Sequence, residues 1–131
     1  MFRVTDLKVL SIATEELDAS AETFRKNFGF PVTRSATSSS GQTHSISLGI
    51  GGAEIEMVAP TGEGSPVARF VAERGPGLHA LVLEVDDLKA AEAELSARGI
   101  DVSGETGADG RPVRFLSAAQ THGVRIALVG R

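Results

Sequence analysis

The strongest constraint on this chain is that it repeats itself. Shifted so that Gly52 meets Gly123, the stretch Gly52-Ala53-Glu54-Ile55-Glu56-Met57-Val58 lies over Gly123-Val124-Arg125-Ile126-Ala127-Leu128-Val129. Val9 then falls on Ala80, Leu17 on Leu88 and Ala19 on Ala90. A chain of 131 residues that carries one design twice is expected to build any site at the junction from matching positions. Val9 with Ala80, and Glu56 with Ala127, are two such matching pairs, and of these four only Glu56 has a side chain able to bind a metal.

Each copy reads as βαβββ. Leu7 to Ala13 is strand-like, and Thr14 followed by Glu15 and Glu16 suits a helix start. Leu17, Ala21, Phe24 and Phe28 give that helix its apolar stripe, and Gly29 stops it. Pro31 to Ala36 reads as an edge strand, followed by a polar connection from Thr37 to Gly41. His44, Ile46 and Leu48 alternate with Ser45 and Ser47, and the glycines from Gly49 to Gly52 turn the chain back into Ala53 to Ala59, a hairpin. Ser65-Pro66 opens a linking helix that Gly75 ends. In the second copy Leu78 to Val85 is a strand, and Asp86 and Asp87 open a helix stopped by Gly99. Ile100 to Ser103, Val113 to Leu116 and Gly123 to Val129 complete the set, with a turn at Gly107-Ala108-Asp109-Gly110. The expectation is one α+β domain over residues 1–131, with halves at 7–59 and 78–130 and a linking helix at 64–75.

Composition narrows the function. A net charge of −4 with scattered basic residues gives no footprint for nucleic acid. No apolar run is long enough to cross a bilayer, so no membrane partner is expected. Without cysteine there is no thiolate nucleophile or sulfur ligand, and a cytoplasmic location is the default. Tyrosine and tryptophan are absent, which removes tyrosine acid-base chemistry.

Six segments carry a family resemblance: Glu54-Ile55-Glu56-Met57-Val58-Ala59-Pro60, Ser65-Pro66-Val67-Ala68-Arg69-Phe70, Glu73-Arg74-Gly75-Pro76-Gly77-Leu78-His79 leading into Glu84-Val85-Asp86-Asp87-Leu88, and Val113-Arg114-Phe115-Leu116 with Gly123-Val124-Arg125-Ile126-Ala127-Leu128. With these the chain resembles the vicinal oxygen chelate superfamily (glyoxalases, extradiol dioxygenases, bleomycin-resistance proteins), and within it the methylmalonyl-CoA epimerases. The resemblance implies two βαβββ halves, the glyoxalase/bleomycin-resistance fold, enclosing an open barrel-like cleft. It also implies a divalent metal held by two histidines and two Glu or Gln side chains. Carried onto this sequence, those ligand positions are Val9, Glu56, Ala80 and Ala127. The expectation is therefore no metal and no cofactor. His79 neighbours the lost ligand at Ala80 but, one residue off, faces the other way; His122 is the remaining candidate to restore a site.

Strand parity puts Glu54, Glu56 and Val58 on one face, and the hairpin suggests that His44 joins them near the family's catalytic carboxylate. His44 and Glu56 are thus candidate catalytic residues for proton transfer, or simply partners of one another. Val9, Glu54, Val58, Ala80, Val82, Phe115, Arg125 and Ala127 are candidate ligand contacts, with Arg125 suited to a carboxylate or phosphate. Loss of the ligand set favours a metal-independent protein, expected as a homodimer, that sequesters a small organic molecule. The alternative is a metal-independent epimerase, isomerase or lyase using His44 and Glu56; a metal-dependent epimerase ranks below both.

Overall fold

The computed structural model describes residues 1–106 and 110–131. Gly107, Ala108 and Asp109, which begin the turn expected there, lie outside the described residues. The elements are β1 (Val4–Ala13), α1 (Leu17–Phe28), β2 (Val32–Ser38), β3 (Thr43–Ile50), β4 (Ala53–Pro60), α2 (Pro66–Arg74), β5 (Gly77–Val85), α3 (Leu88–Ala97), β6 (Val102–Thr106), β7 (Pro112–Leu116) and β8 (Arg125–Gly130), with a 3-10 turn at Ala118–Thr121. That is the doubled βαβββ order, with α2 between the copies. No helix among the described residues is long and apolar enough to cross a membrane.

The chain forms two compact units: an N-terminal unit, Val9–His79, and a C-terminal unit made of Met1–Lys8 and Ala80–Arg131. The N-terminal unit orders its strands β2-β3-β4-β1, with β1 parallel to β4 and the other neighbours antiparallel. The C-terminal unit repeats this as β6-β7-β8-β5, with β5 parallel to β8.

Local chemistry explains the boundaries. Helix α1 ends at Gly29, whose φ of +74° is left-handed and whose N–H reaches back to the Arg25 carbonyl. Ser65 caps α2 by accepting a hydrogen bond from the Val67 N–H at 3.1 Å, with Pro66 in the first turn. Asp87 does the same for α3 through the Ala90 N–H at 3.0 Å.

One face of each sheet carries its helix. In the N-terminal unit Leu48, Ile55 and Met57 pack with Ala21, Leu17 and Phe24 of α1. In the C-terminal unit Val85 and Leu128 pack with Ala91 and Leu95 of α3. Helix α2 lies on the opposite face of the N-terminal sheet, where Val67 and Val71 cover Ala13 and Val58 at one end.

Candidate active site

In the N-terminal unit the site follows from register. The tight turn at Gly51-Gly52 pairs Ile50 with Ala53, so Ser47 stands opposite Glu56 and Ser45 opposite Val58. On the other side of β4, Ser11 stands beside Glu56 and Val9 beside Glu54. An irregularity between Val32 and Arg34 brings Arg34 opposite Ser47. Directly paired residues share a face. Arg34, Ser47, Glu56 and Ser11 therefore form one polar row across all four strands.

Within that row Ser11, 5% exposed, donates its hydroxyl to Glu56 Oε1 at 3.1 Å. Ser47 is 1% exposed, and among the described residues its Oγ has no hydrogen-bond partner. Arg34 leans diagonally to Glu54, with Nη2 3.2 Å from Oε2. That is an ion-pair distance, but the geometry gives the buried Oε2 no aligned hydrogen bond.

The face expected for His44 is corrected by the same register. His44 pairs with Ala59, Ile46 with Met57 and Leu48 with Ile55, which is the face packed on α1. Glu56 is on the other face. The alternation in β3 was legible, but its apolar members had to turn toward the helix, and His44 goes with them. It is exposed at the start of its strand, with Nδ1 2.9 Å from the Thr37 hydroxyl. His44 and Glu56 therefore do not form a pair.

Glu54, Glu56, Val58 and Val9 do share a face. In the C-terminal unit Ala80 pairs with Arg125, Val82 with Ala127 and Phe115 with Ala127, so these five candidates also share one. Arg125 is exposed at the start of β8, and Ala127 is buried. His79 stacks edge-on against Phe70 at 4.9 Å between ring centroids. His122 follows the 3-10 turn, exposed and with a left-handed φ of +59°.

A divalent ion needs several converging oxygen, nitrogen or sulfur donors. Val9, Ala80 and Ala127 offer none, and Glu56 is joined by hydroxyls alone. Among the described residues no three His, Cys, Asp or Glu side chains converge. This donor set does not fit the metal of the family that the sequence resembles.

Sequence reasoning missed Arg34, Ser11 and Ser47 as parts of the site. The serine alternation and the two-glycine turn were signals for Ser47. Nothing local announces the irregularity that aims Arg34.

Residues 10–115 match the Glyoxalase/Bleomycin resistance protein/Dioxygenase superfamily. The chain belongs to that superfamily. It is 33% identical over 128 residues to an ethylmalonyl-CoA/methylmalonyl-CoA epimerase of Cereibacter sphaeroides, covering 93% of this chain and 95% of that one. It is 32% identical to the mitochondrial methylmalonyl-CoA epimerase of Dictyostelium discoideum, covering 93% and 76%. The crystal structure of methylmalonyl-CoA epimerase from Mycobacterium tuberculosis superposes with a TM-score of 0.89 at 27% identity, covering 97% of this chain and 88% of that one. The fold is thus the α+β glyoxalase/bleomycin-resistance fold. The same likenesses overturn the expectation of a non-catalytic sequestering protein, because over 93% of its length the chain is similar to epimerases.

Proposed function

We propose that the protein is an epimerase acting at the α-carbon of a 2-alkylmalonyl thioester, the substrate class named by its relatives, and that it works without a resident metal. The observation that carries this reading is Glu56, held by Ser11 in a polar row within a chain similar over 93% of its length to an epimerase.

The chemistry is proton transfer. The α-hydrogen of a malonyl thioester lies between two carbonyl groups and is acidic for a C–H bond. Glu56 takes it: the C–H bond breaks, an O–H bond forms on the carboxyl, and the electron pair moves to the thioester oxygen as an enolate. Water delivers a proton to the other face of that planar enolate, which inverts the centre, and Glu56 passes its own proton to the hydroxide so formed, which regenerates the base. Ser11 fixes one carboxylate oxygen and leaves the other for the substrate. Val9 and Glu54 serve as ligand contacts on the same face of the N-terminal sheet, where Val58 is covered by α2.

The test is exchange of the α-proton of methylmalonyl-CoA in deuterated water, followed by proton NMR, with protein purified in chelator and its metal content measured. Exchange by protein without stoichiometric metal is expected. Exchange that is lost with chelator and restored by one divalent ion per chain would refute metal independence. Absence of exchange under both conditions would refute the epimerase reading.

A further inference from the structure

The repeat supplies an internal control for the polar row. Under the same topology, the row Arg34–Ser47–Glu56–Ser11 of the N-terminal sheet corresponds in the C-terminal sheet to Ser103–Phe115–Ala127–Val82. That counterpart contains no charge, so the fold does not require a cation and a carboxylate in this place. Their presence in one copy alone calls for a chemical reason.

Arg34 is poorly committed where it stands. It is an edge-strand residue whose side chain is 59% exposed, and its contact with Glu54 is unaligned. An exposed ion pair of this kind is easily exchanged for a better one. Glu54 offers a carboxylate at the diagonal position next to Glu56, where a ligand's own carboxylate would compete for the same guanidinium. A planar guanidinium grips a carboxylate best with two parallel hydrogen bonds, which Glu54 does not provide here. Arg34 and Glu56 stand two strands apart, about 10 Å between backbones, a gap that an arginine side chain spans. The buried Ser47 hydroxyl lies between them with its donor unspent.

From this arrangement we propose that Arg34 is the specificity-determining residue: it leaves Glu54 to hold the substrate's free carboxylate beside the carbon on which Glu56 acts. The proposal rests on the epimerase reading and names the residue that selects acids. In a 2-alkylmalonyl thioester the carboxylate is bonded directly to the α-carbon, so its anchor must lie in the same row as the base. Arg34 meets that condition inside a single unit. It also supplies positive charge on a face whose donor set does not fit a divalent ion.

The experiment compares α-proton exchange of methylmalonyl-CoA with that of the same thioester methyl-esterified at its free carboxylate, for the wild type, Arg34→Gln, Arg34→Lys and Arg125→Gln. The wild type should prefer the acid, and Arg34→Gln should raise KM for the acid by about 10- to 100-fold, the usual range for lost hydrogen bonds to a charged partner. Exchange of the ester should stay unchanged, and Arg34→Lys should keep part of the preference. A thermal midpoint for each variant shows that folding is preserved. A wild type with no preference would overturn the proposal. So would a preference that survives Arg34→Gln or disappears with Arg125→Gln, and so would equal losses for acid and ester. If the wild type exchanges neither thioester, the epimerase reading falls first and takes this inference with it.

Discussion

Replacing Glu56 with glutamine separates the charge of this side chain from its shape. The amide keeps an oxygen where Ser11 donates at 3.1 Å, so the contact to β1 survives. What is lost is the capacity to accept a proton from carbon. A positioned general base contributes about 10²- to 10⁴-fold, or about 3–5 kcal/mol of activation free energy at about 1.4 kcal/mol per tenfold. On the stability side, a hydrogen bond to a charged acceptor contributes about 1.5–3 kcal/mol and a neutral one about 0.5–1.5 kcal/mol. The neutral amide also costs less to bury. These terms oppose each other, so folding free energy should change by no more than about 1 kcal/mol. Proton NMR in deuterated water gives the exchange rate, and urea titration gives the stability of the same preparation. Exchange within tenfold of the wild type would remove Glu56 from the chemistry. A large fall in the urea midpoint would instead make it a structural residue.

Other substitutions probe the framework. His44→Ala should leave exchange within about twofold of the wild type, since the residue lies on the α1 face; a loss approaching the general-base range would refute that placement. Leu48, 0% exposed between α1 and β4, should cost about 3–5 kcal/mol as Leu48→Ala, read as a lowered urea midpoint. The Phe2 N–H, donated to Glu94 at 2.7 Å, holds that carboxyl below its ordinary 4.5. Because the folded value is depressed, this stabilisation is present above pH 4.5 and is lost as pH falls through the folded value. Glu94→Gln should therefore flatten the decline of the urea midpoint on acidification below that point, and an unchanged slope would contradict it.

Much of the architecture was legible because it depends on local chemistry. Ser65-Pro66, Asp87 and Gly29 mark helix ends through caps and a left-handed φ, and those signals act within a few residues. The doubled element order followed from the repeat. The site was less legible because it depends on register. Parity along β4 correctly grouped Glu54, Glu56 and Val58, but relating β3 to β4 required the pairing at the Gly51-Gly52 turn. A pairing displaced by one residue sends every side chain to the opposite face, which is why His44 was expected beside Glu56 and is found behind it. Arg34 needed more still: the irregularity in β2 leaves no mark in composition. The missing donors at Val9, Ala80 and Ala127 point to simple sequestration, which the similarity to epimerases overturns.

The first strand is divided between the units: its opening residues belong with Ala80–Arg131, while Val9 onward belongs with Val9–His79. During synthesis the N-terminal unit is contiguous and complete once His79 has left the ribosome. The C-terminal unit must wait, because its segment Met1–Lys8, anchored by Phe2 at a separation of 92 residues from Glu94, has no place until α3 exists. Closing so long a loop is slow compared with local pairing. The order of translation therefore favours the half carrying Arg34, Ser47 and Glu56, with residues 1–8 recruited late.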